Sequence, residues 1–389
     1  MNLLYISNLF PDKKDFNRGI YNARFTRHLS KYCNIRVISL RPGFLFIKQF
    51  QSCPQDQAVK PIYSVVPYVP IYGSRFNHIL MRLFLKSAIK KLHNEFKFDV
   101  VLASWIFPDA CAVSKIAEQL KIPLVATALG TDIHQYINNP VRRKIILTEL
   151  KNAAAIVTVS QSLAKLLIES GFNNKKVHTI YYGVEQDLFK PGNKTDARVR
   201  LNLPQDSILI LFVGNFLPIK DPLLALDSFS KFVDEYKPQN PLIAFIGDGV
   251  LKSKLESRAE DLGLKNNVIF AGRKRPEEIT VYMQAADVLC LTSHNEGVPN
   301  VVLEALSTGL PVVATAVGGV PEIIQNSTLG KLVYERSPKK IAEAIYDTIK
   351  NPPDKTLLIS YARQYDWDQT AREYFNLLTK CVEQYKLKL

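Results

Sequence analysis

The stretch His294-Asn-Glu296-Gly297-Val298-Pro299-Asn300-Val301-Val-Leu-Glu304-Ala-Leu-Ser-Thr-Gly309-Leu-Pro311 lies between two short apolar runs, 288–291 and 311–314. Glu296 stands before a glycine and a proline, which places it in a loop. Asn300 is a natural helix N-cap, and 301–307 then read as a helix stopped by Gly309. Along one continuous helix, eight residues would turn the two carboxylates roughly 80° apart. A loop that feeds a helix can instead aim Glu296 and Glu304 at one ligand. Strand, loop, helix and strand in that order make the repeating unit of a parallel sheet. Such sheets take ligands at the carboxyl ends of their strands, where this loop falls.

The same unit recurs in both directions. Strands are predicted at 3–7, 34–40, 62–66, 100–103, 124–127, 155–159 and 177–181, then at 208–213, 242–246, 267–271, 288–291, 311–314 and 331–333. They are continuous Val/Ile/Leu runs rather than strict alternations, the pattern of strands covered on both faces. The fold class is therefore α/β, with doubly wound parallel sheets. Pro191 and Gly192, set among polar residues, mark a boundary between two domains, 1–188 and 189–366. A last helix, about 367–389, carries Tyr374, Leu377, Leu378, Cys381 and Tyr385 on one face and is expected to pack back on the first domain.

A chain of 389 residues fits two such domains, each large enough to bury its own core. Cys33, Cys53, Cys111, Cys290 and Cys381 are scattered without a C-x-x-C pair, which points to free thiols in a reducing compartment. The opening MNLLYISNLF has no basic region before its apolar part and reads as a buried strand, and no apolar run approaches a membrane span. The expected location is cytoplasmic. The net charge of +14 falls entirely in residues 1–190, with 26 Lys and Arg against 12 Asp and Glu. That asymmetry suits an anionic partner, such as a membrane surface or a phosphorylated acceptor; a solvated basic surface without a partner accounts for it equally. No nucleic-acid recognition motif accompanies it.

Residues 75–97 predict a basic amphipathic helix, with Phe76, Ile79, Leu80, Leu83, Phe84 and Ile89 on the apolar side and Arg75, Arg82, Lys86, Lys90 and Lys91 as its charge. Two readings stand. One is an interfacial helix on anionic lipid; the other is a core-packing helix with a solvated basic face.

The chemistry of the opening stretch suits a sugar nucleotide. A helix N-terminus and the N–H groups of 297–300 favour a diphosphate. Carboxylates each accept two hydroxyl hydrogen bonds from ribose or a hexose. The whole string resembles the E-x7-E signature of the retaining glycosyltransferases of family 4, or group 1. The resemblance extends over nearly the whole chain: Phe212-Val-Gly214-Asn215-Phe-Leu-Pro-Ile-Lys220 resembles the phosphate loop, Ile246-Gly247-Asp-Gly249 the Gly-x-Gly turn, and Phe270-Ala-Gly-Arg273 the segment bordering the base. Ala286-Asp287 to Ser293 and Val317-Gly-Gly-Val-Pro-Glu322 flank the signature as in the family. Phe10-Pro11, Arg18-Gly19, Val157-Thr-Val-Ser160 and Tyr182-Gly-Val-Glu to Pro191 match in the first half.

The resemblance implies a GT-B fold, two Rossmann-like domains facing a central cleft, and transfer of a hexose or hexosamine from a UDP- or GDP-linked donor with retention of configuration. It implies that Glu304 binds the donor ribose, Glu296 the transferred sugar and Lys220 the leaving diphosphate, with Gly19 admitting backbone N–H groups to it. Catalytic candidates are Glu296, Lys220 and Asp132. Donor-binding candidates are Gly19, Asn215, Lys220, Gly247, Arg273, Glu296, Gly297, Val298, Pro299, Asn300, Val301 and Glu304. No bound metal and no tightly held cofactor are expected. The acceptor is a glycan or lipid-linked molecule, fitting cell-surface polysaccharide biosynthesis at the inner face of a membrane. Two positions depart from the pattern. Asn215 stands where the family often has Arg, and Leu129 in Thr127-Ala-Leu-Gly130-Thr-Asp132 stands where it has His. An amide does not replace a charged fork, although Arg273, Lys274 or Arg275 can supply charge nearby. The alternatives are an epimerase-type enzyme on the same architecture, which needs no acceptor, and a non-catalytic nucleotide-sugar binder.

Overall fold

The computed structural model describes residues 1–43, 59, 61–69 and 75–388; Cys53 lies outside them. The chain forms two units, Met1–Tyr182 with Trp367–Leu389, and Gly183–Asp366.

The first unit contains β1 (Asn2–Ser7), β2 (Asn34–Pro42), β3 (Ile62–Val66), β4 (Val100–Ser104), β5 (Leu124–Ala128), β6 (Ala155–Thr158) and β7 (Val177–Thr179). They pair in parallel in the order β3-β2-β1-β4-β5-β6-β7. The second unit contains β8 (Ile208–Val213), β9 (Pro241–Ile246), β10 (Val268–Gly272), β11 (Val288–Leu291), β12 (Val312–Thr315) and β13 (Gly330–Val333). These too are parallel, in the order β10-β9-β8-β11-β12-β13. Every residue of β4, β5, β11 and β12 is buried, which is why these strands read as unbroken apolar runs. In each sheet the order reverses once, between β1 and β4 and between β8 and β11. At such a reversal the connecting helices leave to opposite faces, and a crevice opens at the strands' carboxyl ends.

The helix Trp367–Lys386 belongs to the first unit. Tyr374 packs on Phe25 with ring centroids 4.5 Å apart, Trp367 on Tyr182 at 5.1 Å, and Asp368 pairs with His28 at 2.7 Å. Tyr374, Leu378 and Cys381 are buried as the pattern predicts, while Leu377 and Tyr385 are only half-buried. The chain passes between units at Tyr182–Gly183, ahead of the Pro191–Gly192 turn. Val184 N–H donates to the Tyr365 carbonyl at 2.9 Å, and Ser307 Oγ donates to the buried Phe189's carbonyl at 2.5 Å, so 183–192 is already part of the second unit. Cys33, Cys111, Cys290 and Cys381 are buried free thiols.

The helix Asn77–Phe96 does pack on the core, but with a different stripe from the one predicted: of the six apolar residues assigned to that side, only Ile89 is buried. The residues it buries are Asn77, His78, Met81, Leu85 and Ile89, whereas Phe76, Ile79, Leu83 and Phe84 are exposed. Polar side chains with partners fix this rotation. The Asn77 amide accepts from Val69 N–H and donates to the Val69 carbonyl, both at 3.0 Å. Arg82 donates to the Cys111 and Ala112 carbonyls and to Glu149 Oε2 at 2.6 Å. Among the described residues no helix is long and apolar enough to cross a membrane.

Candidate functional site

In the second unit the loops after β8 and β11 flank the reversal of strand order. The chain leaves β8 through Gly214 and Asn215, turns by way of a Lys220 N–H to Leu217 carbonyl bond of 2.9 Å, and enters the helix Pro222–Tyr236 at Asp221. Asp221 holds φ 46° and caps that helix through Leu224 N–H. The two glycines of the Gly-x-Gly turn serve close packing within the protein. A Cβ on Gly247, at φ +149°, would sit 1.9 Å from the Gly214 carbonyl oxygen, and one on Gly249 would sit 2.6 Å from that of Phe216. Gly247 thus lets two loops interlock.

The two loops are tied together. Lys220 Nζ lies 2.5 Å from Glu296 Oε1, and Ser293 Oγ donates to the same oxygen at 2.5 Å. Neither contact uses Oε2. Glu296 and Glu304 are only 8% and 4% exposed, so both carboxylates belong to enclosed surroundings. Thr292 Oγ1 donates to the Asp221 carbonyl at 2.8 Å, and His294 N–H to that of Ile219 at 2.8 Å. Arg336 closes the arrangement. It donates through Nη1 to the Thr292 and Ser293 carbonyls at 2.8 and 2.6 Å, and through Nη2 to Asp221 Oδ2 at 2.6 Å. One guanidinium fork therefore spans the residues before Glu296 and the residue after Lys220, a geometry lysine cannot copy. On the far side, Gly318 at φ +54° comes so close to the Glu296 carbonyl that a Cβ would lie 1.9 Å from its oxygen.

The helix that follows runs Asn300–Thr308, one residue earlier than predicted, and Gly309 ends it at φ 77°. Pro299, not Asn300, occupies the cap position and no side chain caps the first turn; Asn300 Oδ1 is buried without a hydrogen-bond partner. Gly297, Val298, Pro299, Asn300 and Val301 form the entry to this helix, and Glu304 lies in its second turn. Asn215 is exposed, as is Arg273 after β10. Lys274 and the Arg275 N–H both engage Glu278, at 3.3 and 2.9 Å.

In the first unit, Gly19 caps the helix Ile20–Leu29 at φ 60°, and a Cβ there would meet the Leu9 backbone at 2.3 Å. Its glycine requirement is again met inside the protein. Asp132 is fully buried. Its Oδ1 accepts from Leu129 and Gly130 N–H at 3.0 and 2.9 Å, and its Oδ2 from Ile106 N–H at 2.9 Å. This corrects its candidacy as a catalytic group, since the carboxylate is consumed in stapling the loops after β4 and β5. Burial pushes it up to about 6 against the pull of those N–H groups. Asp109, equally buried, accepts from the Asn8 N–H and side-chain amide at 2.6 and 2.9 Å, and burial pushes it up to about 7.

Sequence reasoning missed Arg336, Ser293 and Asp221 as partners of the carboxylate loop. Arg336 lies 32 residues beyond Glu304, in a segment with no motif, and nothing local marked it. Among the described residues no three His, Cys, Asp or Glu side chains converge to hold a metal ion.

The family profile "Glycosyl transferases group 1" matches residues 193–365, and "Glycosyltransferase Family 4" matches 19–188. A Bacillus subtilis (strain 168) protein, provisionally named teichuronic acid biosynthesis glycosyltransferase TuaC, is 27% identical over 366 residues, 89% of this chain and 88% of its own. A D-inositol 3-phosphate glycosyltransferase of Corynebacterium urealyticum is 30% identical over 61% of this chain and 59% of its own length. Among solved structures, Anabaena Alr3699/HepE in complex with UDP has a TM-score of 0.78 at 17% identity, covering 98% of this chain and all of its own. Sucrose-phosphate synthase from Thermosynechococcus elongatus has a TM-score of 0.77 at 19% identity, with 98% of each chain covered. These likenesses carry the fold, GT-B, and the two profiles between them account for both units. With Glu296 of the signature paired to Lys220 and Glu304 buried in the helix that follows, and with both profiles matched, the chain belongs to the group 1, family 4 glycosyltransferases.

Proposed function

We propose that the protein transfers a hexose or hexosamine from a UDP- or GDP-linked donor to a glycan or lipid-linked acceptor, with retention of configuration, in cell-surface polysaccharide biosynthesis. The observation that carries this reading is the meeting of Lys220 and Glu296 at the reversal of strand order, beside an uncapped helix N-terminus. The first-turn N–H groups and Lys220 receive the diphosphate; Glu304 accepts from the ribose hydroxyls; Glu296, through the oxygen that Lys220 and Ser293 leave untouched, accepts from the sugar. As the glycosidic bond breaks, Lys220 balances charge gathering on the departing phosphate, whose oxygen takes the acceptor's proton. No side-chain base is required, which accords with the absorption of Asp132 into the backbone. The UDP bound to HepE and the naming of TuaC support the donor and the pathway class. The first unit, with 29 Lys and Arg against 13 Asp and Glu, suits an anionic acceptor or membrane surface, whereas the second has 21 against 23.

The test is a thermal-shift screen of UDP, GDP, ADP and their sugars, followed by donor hydrolysis and transfer assays with the best of them. Glu304→Ala should abolish nucleotide stabilisation. Undiminished stabilisation in that variant would overturn the assignment of the ribose site.

A further inference from the structure

We propose that the outer face of the helix Asn77–Phe96 is the protein's docking surface for an anionic lipid bilayer. The inference draws on the charge of the first unit but not on the transfer reaction.

Exposed large apolar side chains are not scattered evenly. Among the described residues, seven of the thirteen lie within 62–84. Phe76 is 57% exposed, Ile79 42%, Leu83 64% and Phe84 43%. At 100° per residue these four and Leu80 fall on one side of the helix, opposite the buried Met81, Leu85 and Ile89. Tyr68 and Val69 extend the patch, because the two hydrogen bonds between Val69 and the Asn77 amide hold them beside the helix's first turn.

The same face becomes basic farther along. Lys86, Lys90 and Lys91 follow the apolar residues on that side, and the helix's sole carboxylate, Glu95, is in its last turn. Among the described residues none of these lysines pairs with a carboxylate. A second basic helix, Pro140–Glu149, is tied to this one. Its Glu149 receives Arg82, and its Arg142 stacks over Tyr136 at 4.4 Å, which meets Phe107, which meets His78 at 5.5 Å. Arg143 and Lys144 on it are exposed. Apolar side chains at the tip with cations behind match a membrane's layers, hydrocarbon beneath a phosphate plane. A soluble partner would need no such ordering, and the net charges of +16 and −2 on the two units put the attraction on the unit that carries this helix.

The experiment is co-sedimentation of the full chain with vesicles of phosphatidylcholine alone or mixed with phosphatidylglycerol. Binding should need the anionic lipid and weaken as salt rises from about 0.1 to about 0.5 M. Phe76→Ser with Leu83→Ser should lower the partition coefficient at least about tenfold. Replacing Lys86, Lys90 and Lys91 by Gln should lower it about fivefold for each charge. Neither set should change the lipid-free unfolding midpoint or the thermal shift given by UDP. Equal binding to neutral vesicles, or binding untouched by both sets, would overturn the proposal. So would a lipid-free midpoint several degrees lower in the serine variant, which would mean that the protein covers this face itself. A concentration-dependent dimer abolished by Leu83→Ser would assign the face to a second copy and equally refute it.

Discussion

Gly318→Ala isolates how the Glu296 loop is held. Alanine at φ +54° pays the left-handed penalty of about 1–2 kcal/mol. Gly263 provides the reference, because at φ +70° it has nothing within 4 Å of an added Cβ, so Gly263→Ala should cost that penalty alone. At Gly318 the new carbon would sit 1.9 Å from the Glu296 carbonyl oxygen, where 3.0 Å is the closest real approach. The carbonyl must retreat by about 1 Å, which strains its bond from Gly319 N–H and displaces the carboxylate that holds Lys220. Losing one backbone bond and part of a charged one adds about 2–3 kcal/mol, bringing Gly318→Ala to about 3–5 kcal/mol. Urea unfolding followed by far-ultraviolet circular dichroism measures both variants. The two tryptophans, Trp105 and Trp367, lie in the first unit, so their fluorescence transition should not move in either variant. Nucleotide stabilisation should fall in Gly318→Ala and persist in Gly263→Ala. Equal costs for the two alanines, or unaltered nucleotide binding in the first, would refute the reasoning.

Lys220→Met should cut transfer by about 10²–10³-fold through the chemical step, as loss of a charge-stabilising donor does; single-turnover rates check it. Arg336→Lys keeps the charge but loses the fork across Thr292, Ser293 and Asp221. It should destabilise the second unit by about 1–3 kcal/mol and reduce the nucleotide thermal shift, which a second-unit melt with and without UDP would show. Asp109 carries a pH dependence. Between about pH 4 and its folded value of about 7 the unfolded carboxyl has lost its proton while the folded one keeps it. First-unit stability should therefore fall with rising pH across that window, by up to about 1.4 kcal/mol per pH unit, and level off above it. Tryptophan fluorescence melts of the protein and of Asp109→Asn should show the slope flattening in the variant.

The central strands β4, β5, β11 and β12 were legible because burial on both faces leaves each one an apolar word, and the loop after β11 was legible because its glycines, prolines and paired glutamates are chemically particular. What escaped was long-range. Arg336 reaches Asp221 across 115 residues, and an arginine alone in a chain rich in them carries no sign of its partner. Asp132 misled for a related reason: its letter is the same whether the carboxylate meets a substrate or three backbone N–H groups. The helix Asn77–Phe96 misled by amphipathicity, since periodicity gives a stripe but not the direction it faces. There Asn77 and Arg82 have their hydrogen-bond partners within the protein while the phenylalanines face out. The glycines matched by position, yet Gly19 and Gly247 accommodate neighbouring backbone, a fact visible only once the loops are placed side by side.

Trp367 and Tyr374, which complete the aromatic core around Phe25 and Tyr182, are made by the ribosome after the whole of 183–366. Order of completion thus inverts order of synthesis. The nascent first unit must wait with an open apolar trough while the second emerges and folds, an interval of at least about ten seconds at cellular elongation rates. A trough exposed that long is a natural client surface for holding chaperones.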